Sequence, residues 1–111
     1  MALRNLTPNE SAIVLECVRA SAVGPFFPDW EFSTLFGLER SQVGEVASAW
    51  PNVDDTDPNV EAAINGSLNN LLGYPHGCEK EWATYISATR ADVERIFHKW
   101  RRALGENALL P

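Results

Sequence analysis

His76 and Cys78 lie two residues apart in a turn rich in proline and glycine, and their side chains could do chemistry. A histidine beside a cysteine can form a nucleophile–base pair, and both residue types ligate zinc. Zinc takes four ligands, and the remaining candidates, Cys17 and His98, lie far away in sequence. A triad also needs a group that orients the base, and the neighbouring sequence identifies none. A small enzyme or metal protein centred on His76 and Cys78 is therefore the second alternative function.

Three aspartates, Asp54, Asp55 and Asp57, lie within four positions of one loop. Such carboxylates could bind a divalent cation, but a calcium loop also needs a glycine at its bend and a late glutamate. Counted from Asn52, those two positions hold Asp57 and Ala63, so the calcium pattern fails. The sequence predicts no metal site and no cofactor. The loop is interpreted as a compact acidic surface for the arginine or lysine side chains of a partner.

An aromatic segment, residues 26–32, carries more apolar surface than a connection between helices needs. Phe27 and Trp30, beside the carboxylate of Glu31, are candidate anchors of a protein interface, because a few large aromatic side chains supply much of the binding energy at such interfaces. The sequence favours the other interpretation, in which the segment folds into the core and covers one end of the molecule.

The chain turns basic near its end, with five basic and two acidic residues between Arg90 and Arg102. A candidate anion-binding set consists of Arg95, Lys99, Arg101 and Arg102. The sequence favours a structural explanation, because the helix macrodipole alone favours cations near the C-terminus of a helix.

The charge of the whole chain favours a basic partner. The 111 residues carry a net charge of −6, and the first 87 hold twelve acidic residues against four basic ones. A negative field repels phosphates, so nucleic acid is an unlikely ligand and a basic protein is a better one. Residues 29–50 resemble a helix-turn-helix that exposes Arg40, Ser41 and Gln42. A nucleic-acid-associated regulator that uses this hairpin and the basic last helix is the first alternative.

Capped amphipathic segments must position these residues. Thr7, Pro8 and Glu10 form a capping box with proline at the first helical position. The same kinds of signal predict helices from Asp29 to Gly37, from Glu39 to Trp50, from Asp57 to Gly73 and from Thr89 to Gly105. Residues 79–86 suit a short helix, although their aromatic and β-branched residues also suit a strand. The sequence predicts an all-α single compact bundle of five or six short helices in one domain, residues 1–111, with frayed tails at 1–6 and 106–111.

Apolar runs in this chain are too short for a signal peptide or a membrane span. Two cysteines are too few for a disulfide framework, so we expect a cytoplasmic protein with reduced thiols. Together these observations predict a small acidic protein-binding module that is not an enzyme. The concrete expectation is an inhibitor of a basic, nuclease-type toxin, as bacterial immunity proteins and antitoxins are.

Overall fold

Six α-helices form the fold in residues 1–109, which the computed structural model describes, with side chains through residue 105. The helices are α1 (Pro8–Val23), α2 (Asp29–Phe36), α3 (Arg40–Ala49), α4 (Pro58–Gly73), α5 (Trp82–Tyr85) and α6 (Arg90–Leu109), and two 3₁₀ segments span Ala2–Asn5 and Glu79–Glu81. These residues contain no strand, so the predicted all-α class is confirmed. The helical interpretation of residues 79–86 is also confirmed.

Helix starts follow the local sequence signals closely. The Thr7 hydroxyl accepts a hydrogen bond from the Glu10 amide at 3.1 Å, and the Glu10 carboxylate accepts one from the Thr7 amide at 2.9 Å, which completes the capping box. The carboxylate of Asp57 caps α4 through the Asn59 amide at 2.8 Å. Gly37 ends α2 in the left-handed conformation, with φ of 68°, which a residue with a side chain rarely adopts.

Both predicted tails differ from the structure. Residues 1–6 are not frayed, because Ala2–Asn5 is a 3₁₀ segment in which Ala2 and Leu3 are buried. Gly105 does not end α6, which continues to Leu109, because a helix tolerates one glycine at a cost of about 1 kcal/mol. Residues 110 and 111 lie outside the described residues.

Asp29 does not cap α2 as predicted. Pro28 holds the capping position, and Asp29 is the first residue of the helix. Its carboxylate lies 2.9 Å from the guanidinium of Arg40, at the start of α3. The aspartate therefore joins two helices instead of closing the end of its own helix.

Helix α4 lies at the centre of the fold and packs against α1, α2, α3 and α6. Its side chains Ile64, Leu68 and Leu71 are fully buried. Gly66 permits the close approach of α2, since a Cβ atom at this position would lie 2.6 Å from the ring of Phe36. No helix in the described part of the chain is both long enough and apolar enough to cross a membrane.

Candidate functional site

The acidic loop is divided between the interior and the surface. Asp55 is 0% exposed, and its carboxyl oxygens accept hydrogen bonds from the amides of Ala2 and Leu3 at 3.1 and 2.9 Å and from the indole of Trp100 at 2.8 Å. The prediction that Asp55 contacts a partner is therefore wrong. Its carboxyl group fastens the start of the chain to the core, because buried donors need an acceptor there.

Asp54 and Asp57 remain exposed on the same loop. Asp54 accepts hydrogen bonds from the amide and the hydroxyl of Thr56 at 2.9 and 2.8 Å. These bonds, the amide first, lower the pKa of Asp54 below its usual value. The dipole of α4 also favours negative charge at Asp57, which caps that helix. Both side chains are thus held in place by local bonds while they face solvent.

A groove of about 370 Å³ runs between α3 and this loop, and we call it the acidic groove. Glu45, Asp54 and Asp57 supply three carboxylates to its lining. Valines 46, 53 and 60 supply an apolar wall, and no cation of residues 1–105 lines it. The lining residues are Gln42, Glu45, Val46, Ala49, Asn52, Val53, Asp54, Asp57, Asn59 and Val60. The groove can therefore take a cationic side chain together with its aliphatic stem.

Glu45 is the site residue that the sequence reasoning missed. It lies four residues before Ala49, which also lines the acidic groove, and so falls on the same face of α3. The four-residue spacing could have shown that Glu45 and Ala49 share a face of α3. The position of Glu45 beside the loop depends on how α3 packs, and no local pattern shows that.

The aromatic segment is divided in the same way. Phe27 is 4% exposed, and its ring packs 5.4 Å from that of Phe36 and 5.7 Å from that of Tyr74. The prediction that Phe27 anchors a partner is therefore wrong. Trp30, by contrast, is 79% exposed. Glu31 is half-buried and accepts a hydrogen bond from the hydroxyl of Tyr74.

Trp30 does not line the acidic groove. Asp29, which precedes Trp30, contacts Arg40 at the start of α3. The residues of α3 that line the acidic groove run from Gln42 to Ala49. The ten residues of α3 span about 15 Å. The predicted anchor and the aspartates therefore do not share one groove.

Two of the three residues that would read DNA in a helix-turn-helix, Arg40 and Gln42, are engaged within the fold, while Ser41 is exposed. Arg40 donates hydrogen bonds to the carboxylate of Asp29 and to the carbonyls of residues 21, 22 and 27, at 2.7–3.3 Å. Its guanidinium also covers the ring of Phe32, 4.4 Å from the centroid. Gln42 accepts a hydrogen bond from the amide of Glu39 in a second capping box. These bonds hold both side chains away from the base-edge contacts that the alternative requires.

The basic residues of α6 are directed to different neighbours. Arg95 and Lys99 lie 3.1 and 2.7 Å from the carboxylate of Glu10, which is 8% exposed. The hydrogen bond from Lys99, then that from the Thr7 amide, lowers the pKa of Glu10 to about 2, with a smaller contribution from Arg95. These two cations therefore support the fold.

The other two members of the predicted anion-binding set do not join them. Arg101 donates to the side-chain oxygen of Asn65 at 2.7 Å on α4, and Arg102 is exposed. Since Glu10 belongs to α1, Arg95 and Arg101 contact different helices. The structure does not bring the four cations around a common site.

His76 and Cys78 do not form a nucleophile–base pair. The Nδ1 atom of His76 accepts a hydrogen bond from the Cys78 amide at 2.9 Å. Its Nε2 atom lies 3.1 Å from the carbonyl of Leu71, to which it donates. Desolvation, followed by the charges of Glu81 and Glu79, raises the pKa of the Cys78 thiol. Both ring nitrogens thus serve the turn, and the thiol stays protonated at neutral pH.

Among the side chains that the structure describes, no group of three or more His, Cys, Asp or Glu residues could hold a metal ion. No protein-family model matches the sequence, and searches of curated proteins and of solved structures found no significant match.

Proposed function

We propose that this protein is a binding module that associates with a basic protein through the acidic groove. One observation carries the proposal: Glu45, Asp54 and Asp57 line a single groove whose wall is made of valines and to which residues 1–105 contribute no cation. A lysine or arginine of the partner can place its charge beside the carboxylates and its methylene stem on the valines.

The ion pairs within the fold also favour a basic partner. Arg40 is bound to Asp29, and Arg95 and Lys99 are bound to Glu10. Several of the nine basic side chains are therefore partly neutralised within the fold. The carboxylates of the acidic groove are part of the net charge of −6 that the whole chain carries. A field of this sign attracts a basic protein and accelerates its association.

Trp30 offers a second contact for the same partner. A standard interface covers about 800 Å² on each protein, which corresponds to a patch wider than the roughly 15 Å length of α3. One partner is thus large enough to reach both the acidic groove and the exposed indole. Exposed tryptophans are among the residues that contribute most to binding energy.

The concrete form of the proposal is stoichiometric inhibition of a basic, nuclease-type toxin in the manner of an immunity protein or antitoxin. A nuclease carries cations where it binds phosphate, and carboxylates on a rigid groove compete for those cations. The support is chemical and general: a small acidic domain has the charge that such a partner needs. Catalysis is not required of it.

The test begins with capture of binding proteins from the source organism and purification of the basic partner. The affinity of the pure pair is then measured by calorimetry for the native chain and for the triple variant Glu45→Gln, Asp54→Asn, Asp57→Asn. Asparagine preserves the cap of α4 and the turn at Asp54, and glutamine suits a helix. We expect affinity to fall about tenfold or more, mainly through slower association at low salt.

The matched control is Glu79→Gln, Glu81→Gln, Glu94→Gln, which removes three exposed carboxylates elsewhere and changes the net charge equally. This control should lose only the small, long-range part of the attraction. Equal losses in the two triple variants would reject the acidic groove as the binding site. Failure to find any basic partner would reject the proposed function.

A further inference from the structure

A second groove, which we call the α1–α3 groove, runs beside the acidic groove, between α3 and α1. Its volume is about 750 Å³, and it is lined largely by apolar and small side chains. Val23, which is 69% exposed, lies in its lining. Of the side chains through residue 105, only Val23 and Trp30 are large, hydrophobic and exposed. This surface gains free energy if another molecule covers it.

The charges of the α1–α3 groove differ from those of the acidic groove. Arg19 lies on the wall formed by α1, and Glu45 lies on the wall formed by α3. Both side chains are exposed. One cation and one carboxylate give this groove no net charge, so it does not select a basic partner. Opposite charges on opposite walls instead make a surface that is complementary to itself.

Symmetry shows how the surface fits a second copy. A two-fold axis along the groove places α1 of each copy over α3 of the other. The wall that carries Arg19 then faces the wall that carries Glu45 in the other copy, so the same ion pair can form twice. Val23 then faces the low wall around Gly44, where an added Cβ atom would meet only Ala22, at 3.9 Å.

We propose that the α1–α3 groove is a self-association surface whose occupant is a second copy of this chain. The two copies form an isologous dimer held by the apolar groove and oriented by the two Arg19–Glu45 pairs. Glu45 also lines the acidic groove, so self-association and binding of the basic partner compete for this carboxylate. The dimer itself does not depend on the proposed function.

Sedimentation velocity of the pure protein, from about 1 μM to about 1 mM, tests the proposal. The native chain should show a concentration-dependent shift from monomer to dimer. Arg19→Glu and Glu45→Arg should each weaken the dimer about tenfold or more, because each replaces two attractions with two repulsions. The double variant should restore the dimer, since it exchanges the charges across the same contact. Glu94→Arg, an equal charge change at an exposed position of α6, should leave the dimer unchanged.

A variant that changes shape instead of charge provides an independent check. Gly44→Leu places a side chain in the groove, and the contact at Ala22 leaves room for its Cβ atom within the fold. This variant should be monomeric, with a helical circular dichroism spectrum like that of the native chain.

Three results would overturn the proposal: a native chain that is monomeric over the whole concentration range, a dimer that withstands Gly44→Leu, or a double charge reversal that fails to restore association. None of these results tests the proposed function, which depends on the affinity for the basic partner and is measured separately.

Discussion

Asp54 and Asp55 are neighbours in the chain, but the carboxyl group of one faces solvent and that of the other is buried. Asp55 is 0% exposed and accepts hydrogen bonds from Ala2, Leu3 and Trp100. The carboxyl group of Asp54 is exposed and, among the described residues, accepts hydrogen bonds only from Thr56, two residues further along the chain. The first aspartate joins distant parts of the chain, and the second contributes to a surface. Residue type and loop position are the same, so the difference arises from what the fold brings near each carboxyl group.

The same contrast separates Glu10 from Glu45, the two glutamates that matter most in this structure. Glu10 is 8% exposed and pairs with Arg95 and Lys99 from the other end of the chain. Glu45 is exposed and lines both grooves beside α3. The net charge of −6 therefore combines carboxylates that form ion pairs within the fold with carboxylates that face solvent.

Replacement of Asp55 should produce the largest change. In Asp55→Asn, the side-chain NH2 group takes the place of a carboxyl oxygen that in the native chain accepts a hydrogen bond from a buried N–H group. A donor then faces a donor, so we expect a loss of about 2–4 kcal/mol in the free energy of unfolding. Urea denaturation measures this loss.

Asp54→Asn is the matched control for that experiment, because it makes the same chemical change one residue earlier. It should alter stability by less than about 0.5 kcal/mol. If the two variants unfold at the same urea concentration, the division of the loop into a buried and an exposed carboxyl group is incorrect.

Glu10 should supply the next largest effect, and it should depend on pH. Its pKa falls from 4.5 to about 2 in the folded protein. A lowered pKa in the folded state means that this stabilisation is fully present above about pH 4.5 and is lost as the pH falls towards 2. Glu10→Gln should therefore lower the free energy of unfolding at pH 7 by roughly 1–3 kcal/mol and flatten its decline in acid.

Glutamine is the informative replacement at this position because its amide oxygen can still accept the hydrogen bond from Thr7 in the capping box. Glu10→Ala removes the cap, the charge and the buried methylene groups, so the difference between the two variants measures the cap together with that packing. Parallel stability curves for native protein and Glu10→Gln between pH 2 and pH 5 would show that the ion pairs contribute nothing.

Much of the fold was predictable from the sequence because its signals are local. The capping box at Thr7, the cap at Asp57 and the left-handed glycine at position 37 involve residues within a few positions of one another. The wrong predictions concern residues whose contacts are distant in the sequence. Asp55 binds amides 52 and 53 residues away and an indole 45 residues away, so no local pattern could have shown its burial.

The candidate site was less predictable than the fold for the same reason. Asp54, Asp57 and Trp30 are exposed, while Asp55 and Phe27 are buried. An aromatic side chain on a connecting segment can cover the core or face solvent, and composition does not distinguish these outcomes. The acidic groove itself depends on the packing of α3 beside the loop, which places Glu45 near residues that follow it by nine or more positions.

The smallest change in stability is expected for the exposed carboxylates of the acidic groove. The triple variant Glu45→Gln, Asp54→Asn, Asp57→Asn should unfold at nearly the urea concentration of the native protein, within about 0.5 kcal/mol, because its side chains are exposed and their replacements keep the local caps. Relief of repulsion among three neighbouring carboxylates can even stabilise the variant slightly at low salt. A loss of about 2 kcal/mol or more would show that these carboxylates support the fold as Asp55 does, and any loss of partner binding in this variant would then reflect unfolding. Native stability together with weakened partner binding would separate the two classes of carboxylate, because only a residue that serves a surface can lose its charge without cost to the fold.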